Sequence, residues 1–341
     1  MCSAPYPLGA DDVVATCPYC GHTFRVDGET IEKHLLIPNQ LSVDKARQTI
    51  RQWLEESASR LVGRRFIESV QLADPVLEWI PFYRVNAECH VHYVGAKKTG
   101  SGDSSRWNRV EETSNMVENE WVLARRHAAS FGMAEFVRTL SDARTMPFDI
   151  KTVSGGTVLN SEMTDKDARS RARQLKADRD REEITENLDK LLDYDLDMKV
   201  LETSYVHVPY WLCQYEHNNG TFRVGVSGVT GSVFLGEIPV TRRYRVKKWF
   251  HSILLLLSSA VSLQATPYLT YLILMSDTED NGEGIILPFI LLAVGVVLWA
   301  GAYLTLGKAL GYEIRVTAEG KELDESTSLR SLLTRVWRRI P

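Results

Sequence analysis

The chain has 341 residues, 25% of them charged, with a formal net charge of -4. That balance excludes a uniformly basic nucleic-acid binder. Five cysteines are too few for a disulfide framework at this length and suit a reducing compartment, and "MCSAPYPLGADD" has neither the basic start nor the apolar run of a signal peptide.

Residues 1–36 hold the first motif, "ATCPYCGHTF". Cys17 and Cys20 sit two residues apart on an expected tight turn, with a Gly behind them where the backbone must bend. This is one zinc knuckle, and a structural zinc takes four ligands. The nearest further cysteine is Cys2. Its Cys-x-x-Cys partner would be Pro5 or a position before Met1, so the reading frame is expected to begin upstream. The expected zinc ligands are Cys2, Cys17, Cys20 and His22, with His34 as the other candidate fourth donor.

An internal repeat follows. "LSVDKARQTIRQWL" (41–54) matches "MTDKDARSRARQLK" (163–176), each opening on a helix-capping hydroxyl, Ser42 or Thr164. "EWIPFYRVNAE" (78–88) matches "VHVPYWLCQYE" (206–216), each reading apolar-Pro-aromatic-aromatic and then alternating as strands do. Two α+β repeats are expected, over 37–150 and 157–240. Strand parity puts Tyr83, Val85, Ala87, Cys89, Val91 and Tyr93 on a core face, with Trp211, Cys213 and Tyr215 their counterparts. "GAKKTGSGDSSR" (95–106) reads as a polar inserted loop. The run Lys166, Arg169, Arg171, Arg173, Lys176, Arg179, Arg181 reads as the solvated face of a long helix.

Glu88, His90 and His92 share the opposite side of the first strand. Two imidazoles and a carboxylate form a candidate metal or catalytic set, though on the side expected to face solvent. Cys89 and Cys213 fall on apolar faces and read as core residues.

Two uncharged apolar stretches close the chain, 252–275 and 285–306, each long enough to cross a bilayer. Arg242, Arg243, Arg245, Lys247 and Lys248 precede the first, and the loop 276–284 between them carries acids and no base. The positive-inside rule therefore puts both termini in the cytoplasm of a two-span protein of the cell membrane. In the tail, 307–341, Leu329, Leu332, Leu333, Val336, Trp337 and Ile340 form one stripe, with arginines beside it. An amphipathic basic helix over 328–340, lying on the lipid surface, is expected.

Together, the knuckle, the "LLIPNQLS" leading to the first helix, "IPFY", "VPYW" and "GVTGSVFLGEIP" resemble a family of uncharacterised prokaryotic zinc-ribbon-containing membrane proteins. The resemblance implies a ribbon and a membrane anchor, and no activity. The expected fold is an α+β cytoplasmic region of two helix-plus-antiparallel-strand repeats, with an N-terminal zinc-ribbon remnant and a transmembrane hairpin. The expected function is a membrane-anchored, non-enzymatic binding or scaffold protein, with the lipid bilayer and a protein at the cytoplasmic face as partners. The alternatives are a metal-dependent enzyme using Glu88, His90 and His92, and membrane-tethered nucleic-acid binding.

Overall fold

The computed structural model describes residues 4–28, 31, 33–58, 64–100, 105–125, 131–141, 143–153, 155–217, 220–239, 242–275, 286–310 and 313–318. Cys2, the loop 276–284 and the amphipathic tail segment 328–340 lie outside the described residues. In chain order the elements are β1 (Val14–Thr16), β2 (Thr23–Arg25), β3 (His34–Leu36), α1 (Val43–Trp53), a π turn (Leu54–Ala58), α2 (Arg64–Ser69) and β4 (Gln71–Leu72). There follow β5 (Val76–Thr99), β6 (Arg106–Leu123), α3 (Met133–Arg138), β7 (Met146–Pro147), β8 (Thr157–Val158), α4 (Asp165–Asn187) and β9 (Lys190–His217). The last elements are β10 (Gly220–Ser227), β11 (Val233–Pro239), α5 (Arg242–Met275), α6 (Ile286–Leu310) and β12 (Glu313–Thr317). The chain is thus α+β, with a large, mainly antiparallel sheet and two apolar C-terminal helices. It divides into two compact units: residues 1–51, 72–214 and 223–235, and residues 52–71, 215–222 and 236–341.

The first unit is built on β5 and β9, paired antiparallel, with β6 on the far edge of β5. The expected face parity holds: Tyr83, Val85, Ala87, Cys89 and Val91 are buried, and Asn86, Glu88, His90 and His92 between them are partly exposed. The buried face is covered by α4. Thr164 caps that helix in a reciprocal box with Asp167, and Ala168, Ala172, Lys176, Asp180 and Ile184 form its buried stripe at i, i+4 spacing. The polar loop expected over 95–106 is shorter than its composition suggested. Residues 95–99 and 106 belong to β5 and β6, paired from Gly95↔Val110 to Thr99↔Arg106. Backbone and cross-strand pairing extend the ladder where no apolar alternation announces a strand.

Near the Val76 end of the β5–β9 ladder Ile80 faces Val208, and the two prolines, Pro81 and Pro209, lie one residue to either side. β3 runs parallel to β9 with Leu35 opposite Val206, while β8 runs parallel to β5 with Thr157 opposite Glu78. The Asn39 amide bonds both backbone groups of Leu41, at 2.7 and 3.2 Å, and the Ser161 hydroxyl bonds both of Met163, at 2.9 and 3.2 Å. Trp211 donates Nε1 to Asn39 Oδ1 at 3.1 Å, and its counterpart Tyr83 donates its hydroxyl to the Met163 carbonyl at 3.1 Å.

In the second unit, Trp53 donates Nε1 to the Thr317 carbonyl at 3.3 Å, and Phe66, Tyr215 and Phe222 pack ring to ring. α5 and α6 are long and apolar enough to span a membrane, and only 11% of the apolar window of each is buried, unlike the core helix of a globular domain. They pack as an antiparallel hairpin joined by hydroxyls: Ser252 to the Ala302 carbonyl at 2.9 Å, Ser259 to Gly295 at 2.8 Å and Ser262 to Leu291 at 2.7 Å. α5 begins at Arg242, ten residues before the expected span, so the basic flank is helical too.

Candidate functional site

The knuckle residues lie on the turn of the β1–β2 hairpin. The Cys17 amide donates to the His22 carbonyl and the Gly21 amide to the Cys17 carbonyl, both at 2.9 Å. Gly21 takes φ 74°, the left-handed region where a side chain is strained. Cys17 is buried and Cys20 exposed. His22 stacks beside Phe24, and its Nε2 is buried without a hydrogen-bond partner among the described residues. No three His, Cys, Asp or Glu side chains converge as a metal-holding group among the described residues. The described part of the expected set is thus Cys17, Cys20 and His22 on one tight turn.

His34 is not spare for zinc. Its Nδ1 lies 2.7 Å from Thr23 Oγ1 and its Nε2 lies 2.7 Å from His207 Nδ1, while His207 Nε2 lies 2.9 Å from the Leu159 carbonyl. That carbonyl can only accept, so His207 carries its proton on Nε2. Its Nδ1 then accepts from His34 Nε2–H, and His34 Nδ1 accepts from the Thr23 hydroxyl. Thr23 in turn accepts from Thr16 across the hairpin, at 3.0 Å. The chain is complete only with both imidazoles neutral. Burial drives them that way: it lowers His207 to about 4, and with the neighbouring His207 it lowers His34 to about 2. The same hairpin is stitched down by Thr16 N to Asn160 Oδ1 and by Val13, Val14 and Ser161 backbone bonds. The knuckle is thus fastened to the sheet rather than swinging from it. Sequence reading missed this element because His34 and His207 are 173 positions apart. At Gly156 a Cβ would come within 2.8 Å of the Trp79 indole nitrogen, so the fully buried indole packs directly on that backbone.

The Glu88, His90 and His92 set is on one strand side as expected, but it is divided. His90 Nδ1 meets Asn115 Oδ1 at 2.6 Å, with Glu88 3.7 Å from its Nε2. His92 Nδ1 meets Thr113 Oγ1 at 3.0 Å and has Glu111 at 3.9 Å. Each imidazole keeps its own carboxylate, and all lie on the open face of the sheet. Cys89 and Cys213 are fully buried, and burial pushes both thiols up to about 11, so they are core residues.

The basic run of α4 is not wholly a solvated face. Lys176 is 4% exposed and sits 2.7 Å from Asp180 and 2.5 Å from Glu118, while Arg179 pairs with Glu118 and Glu120. Burial opposes the Lys176 charge, but the bonds to Asp180 and Glu118 outweigh it and hold the ammonium above its ordinary range. The reason is register: Lys176 falls on the i, i+4 stripe that faces the sheet, where Glu118 of β6 and Asp180 of the same stripe supply the acids.

Beside this network a cleft of about 830 Å3 opens between the end of β6, α3 and the first turns of α4. Leu123, Met133, Val137, Met163 and Leu175 form its apolar lining, with Asp167, Arg171 and Gln174 at the rim. Arg125 stands at its base, held by Glu162 at 2.9 Å and donating to the Asn160 carbonyl at 2.8 Å. No motif marked this cleft in the sequence, since its lining comes from four separate segments.

No family model matches this chain, and neither does any curated protein or solved structure.

Proposed function

We propose that the protein is a membrane-anchored binding protein that receives an amphipathic helix of a partner protein in the cleft between α3 and α4. The observation that carries this is the cleft itself: a partly apolar recess between two helices, lined by two methionines, whose flexible side chains adapt to an incoming surface. The conspicuous titratable clusters are occupied elsewhere, in the His34–His207 chain and under α4. In this reading α5 and α6 cross the cell membrane with both termini cytoplasmic, and the basic residues from Arg242 to Lys248 mark the inner face. Zinc on Cys17 and Cys20, completed by Cys2 and His22, stiffens the knuckle, as the likeness to zinc-ribbon membrane proteins implies; metal analysis of Cys17→Ser against the parent chain tests it. The two halves are copies of one unit that exchanged their short strands, a reading supported by the paired registers and the repeated hydrogen bonds of Asn39 and Ser161.

A photo-crosslinking residue at Met133 tests the cleft. In membranes from cells expressing the full chain it should yield one discrete adduct with a second polypeptide, abolished by Leu175→Glu. No adduct, or one indifferent to that substitution, would reject the cleft as the docking site.

A further inference from the structure

The hairpin of β5 and β6 ends in a feature that the partner-binding reading does not use. Lys98 is paired with Trp107, and Ala96 with both Arg109 and Lys190. Directly opposed residues and i, i+2 neighbours share a sheet face, so Lys98, Trp107, Arg109 and Lys190 form one cluster on the open side. All three cations are exposed, and Trp107 is 51% exposed. The Lys190 ammonium lies 4.8 Å from the centre of the Trp107 ring. Further along the same face the charge reverses: Glu111 and Asp193 flank Val94, then Asp195 lies opposite His92 and Asp197 opposite His90. Arg109 sits at the boundary, 2.7 Å from Glu111.

We propose that this tip docks end-on against anionic phospholipid headgroups at a bilayer surface. Cations around an amphipathic indole are the composition that settles at the lipid–water interface: the ammonium and guanidinium groups meet phosphate and carboxylate, and the ring lies at headgroup depth. The acids behind set the angle. A ribbon laid flat would bring Asp193, Asp195 and Asp197 against like charge, whereas an upright one brings Lys98, Arg109 and Lys190 to the lipid, with Asp189 beside them bound by the Lys98 amide at 2.7 Å. The same geometry disfavours a single-stranded nucleic acid. Lys190 already covers one face of the indole that a base would stack on, and a phosphate chain running along the strands would meet the carboxylates.

The full chain, reconstituted in phosphatidylcholine nanodiscs, is mixed with phosphatidylcholine vesicles that either contain or lack phosphatidylserine, and co-flotation is measured. Flotation is expected only with the anionic vesicles and should fall with added salt. The variant K98E/R109E/K190E should lose on the order of 100-fold in partitioning, from about fivefold per cation. Trp107→Ala should weaken it as well, and the helix variant K45E/K166E should float like the parent. Amide exchange over residues 96–109 confirms that each variant keeps the hairpin, and in the parent it should slow on anionic vesicles. Equal flotation of the parent and the triple variant would overturn the proposal. So would a triple variant that loses retention of a single-stranded oligonucleotide while keeping the vesicles.

Discussion

Acidification is the most direct probe of the His34–His207 chain, because its hydrogen bonds require neutral rings. Both pKa values are lower in the folded protein than the ordinary 6.5, by burial foremost. The stability tied to them is therefore complete above pH 6.5 and is lost as the pH falls, because the unfolded chain takes up protons the folded one refuses. Between pH 7 and pH 4.5 the unfolded form of each imidazole gains about 2.7 kcal/mol from protonation, at 1.36 kcal/mol per unit. His207, fully buried and held near 4, gives almost none of this back, and His34, partly exposed, sets an upper total of about 5 kcal/mol. Carboxylates titrate in the same window, so the decisive comparison is with H34Q/H207N, whose amides donate and accept along the chain without titrating. Urea melts of the full chain in micelles, followed by tryptophan fluorescence from pH 7 to pH 4.5, should show the parent losing about 3–5 kcal/mol more than the variant. Equal losses would refute the neutral-chain reasoning, whatever the variant's stability at pH 7.

Three further outcomes follow from the packing. Lys176→Met leaves Asp180 and Glu118 without their buried ammonium and should destabilise the first unit by about 3 kcal/mol, with most of that recovered in K176M/D180L, as read by urea melts. Gly156→Ala places a methyl 2.8 Å from both the Trp79 indole nitrogen and Leu77 Cγ, and should cost about 1–3 kcal/mol in the same assay, since Trp79 is fully buried. Replacing Ser252, Ser259 and Ser262 together by Ala should weaken the α5–α6 hairpin by about 2 kcal/mol, at roughly 0.6 per bond, measured by detergent-driven unfolding.

Legibility in the sequence tracked the range of the physics involved. Period-two alternation from Tyr83 to Val91 identified the buried face of β5, because one covered side forces that pattern. The caps at Ser42 and Thr164 were readable because they act over three residues. The tip from Lys97 to Thr99 was read as loop because a ladder exposed on both sides has no apolar signature. Lys176 looked like its exposed neighbours, and only Glu118 across on β6 and Asp180 a turn further along α4 explain why it is buried. The α3–α4 cleft and the two-histidine chain need chain segments brought together from far apart, which composition and spacing do not encode.

The long sequence separation between β3 and β9 has a consequence for biosynthesis. β3 pairs with β7 at residues 146–147, but its other edge is met only at residues 205–207, and His34 waits 173 positions for His207. At about 5–20 residues per second this is roughly 10–35 s of translation during which the first half has an uncovered edge and an unfilled polar chain. The stretch that completes it, β9, is separated only by β10 and β11 from α5, the first helix long and apolar enough to span a membrane. In the proposed membrane-anchored reading, closure of the domain and delivery of the nascent chain to the bilayer therefore fall in the same interval.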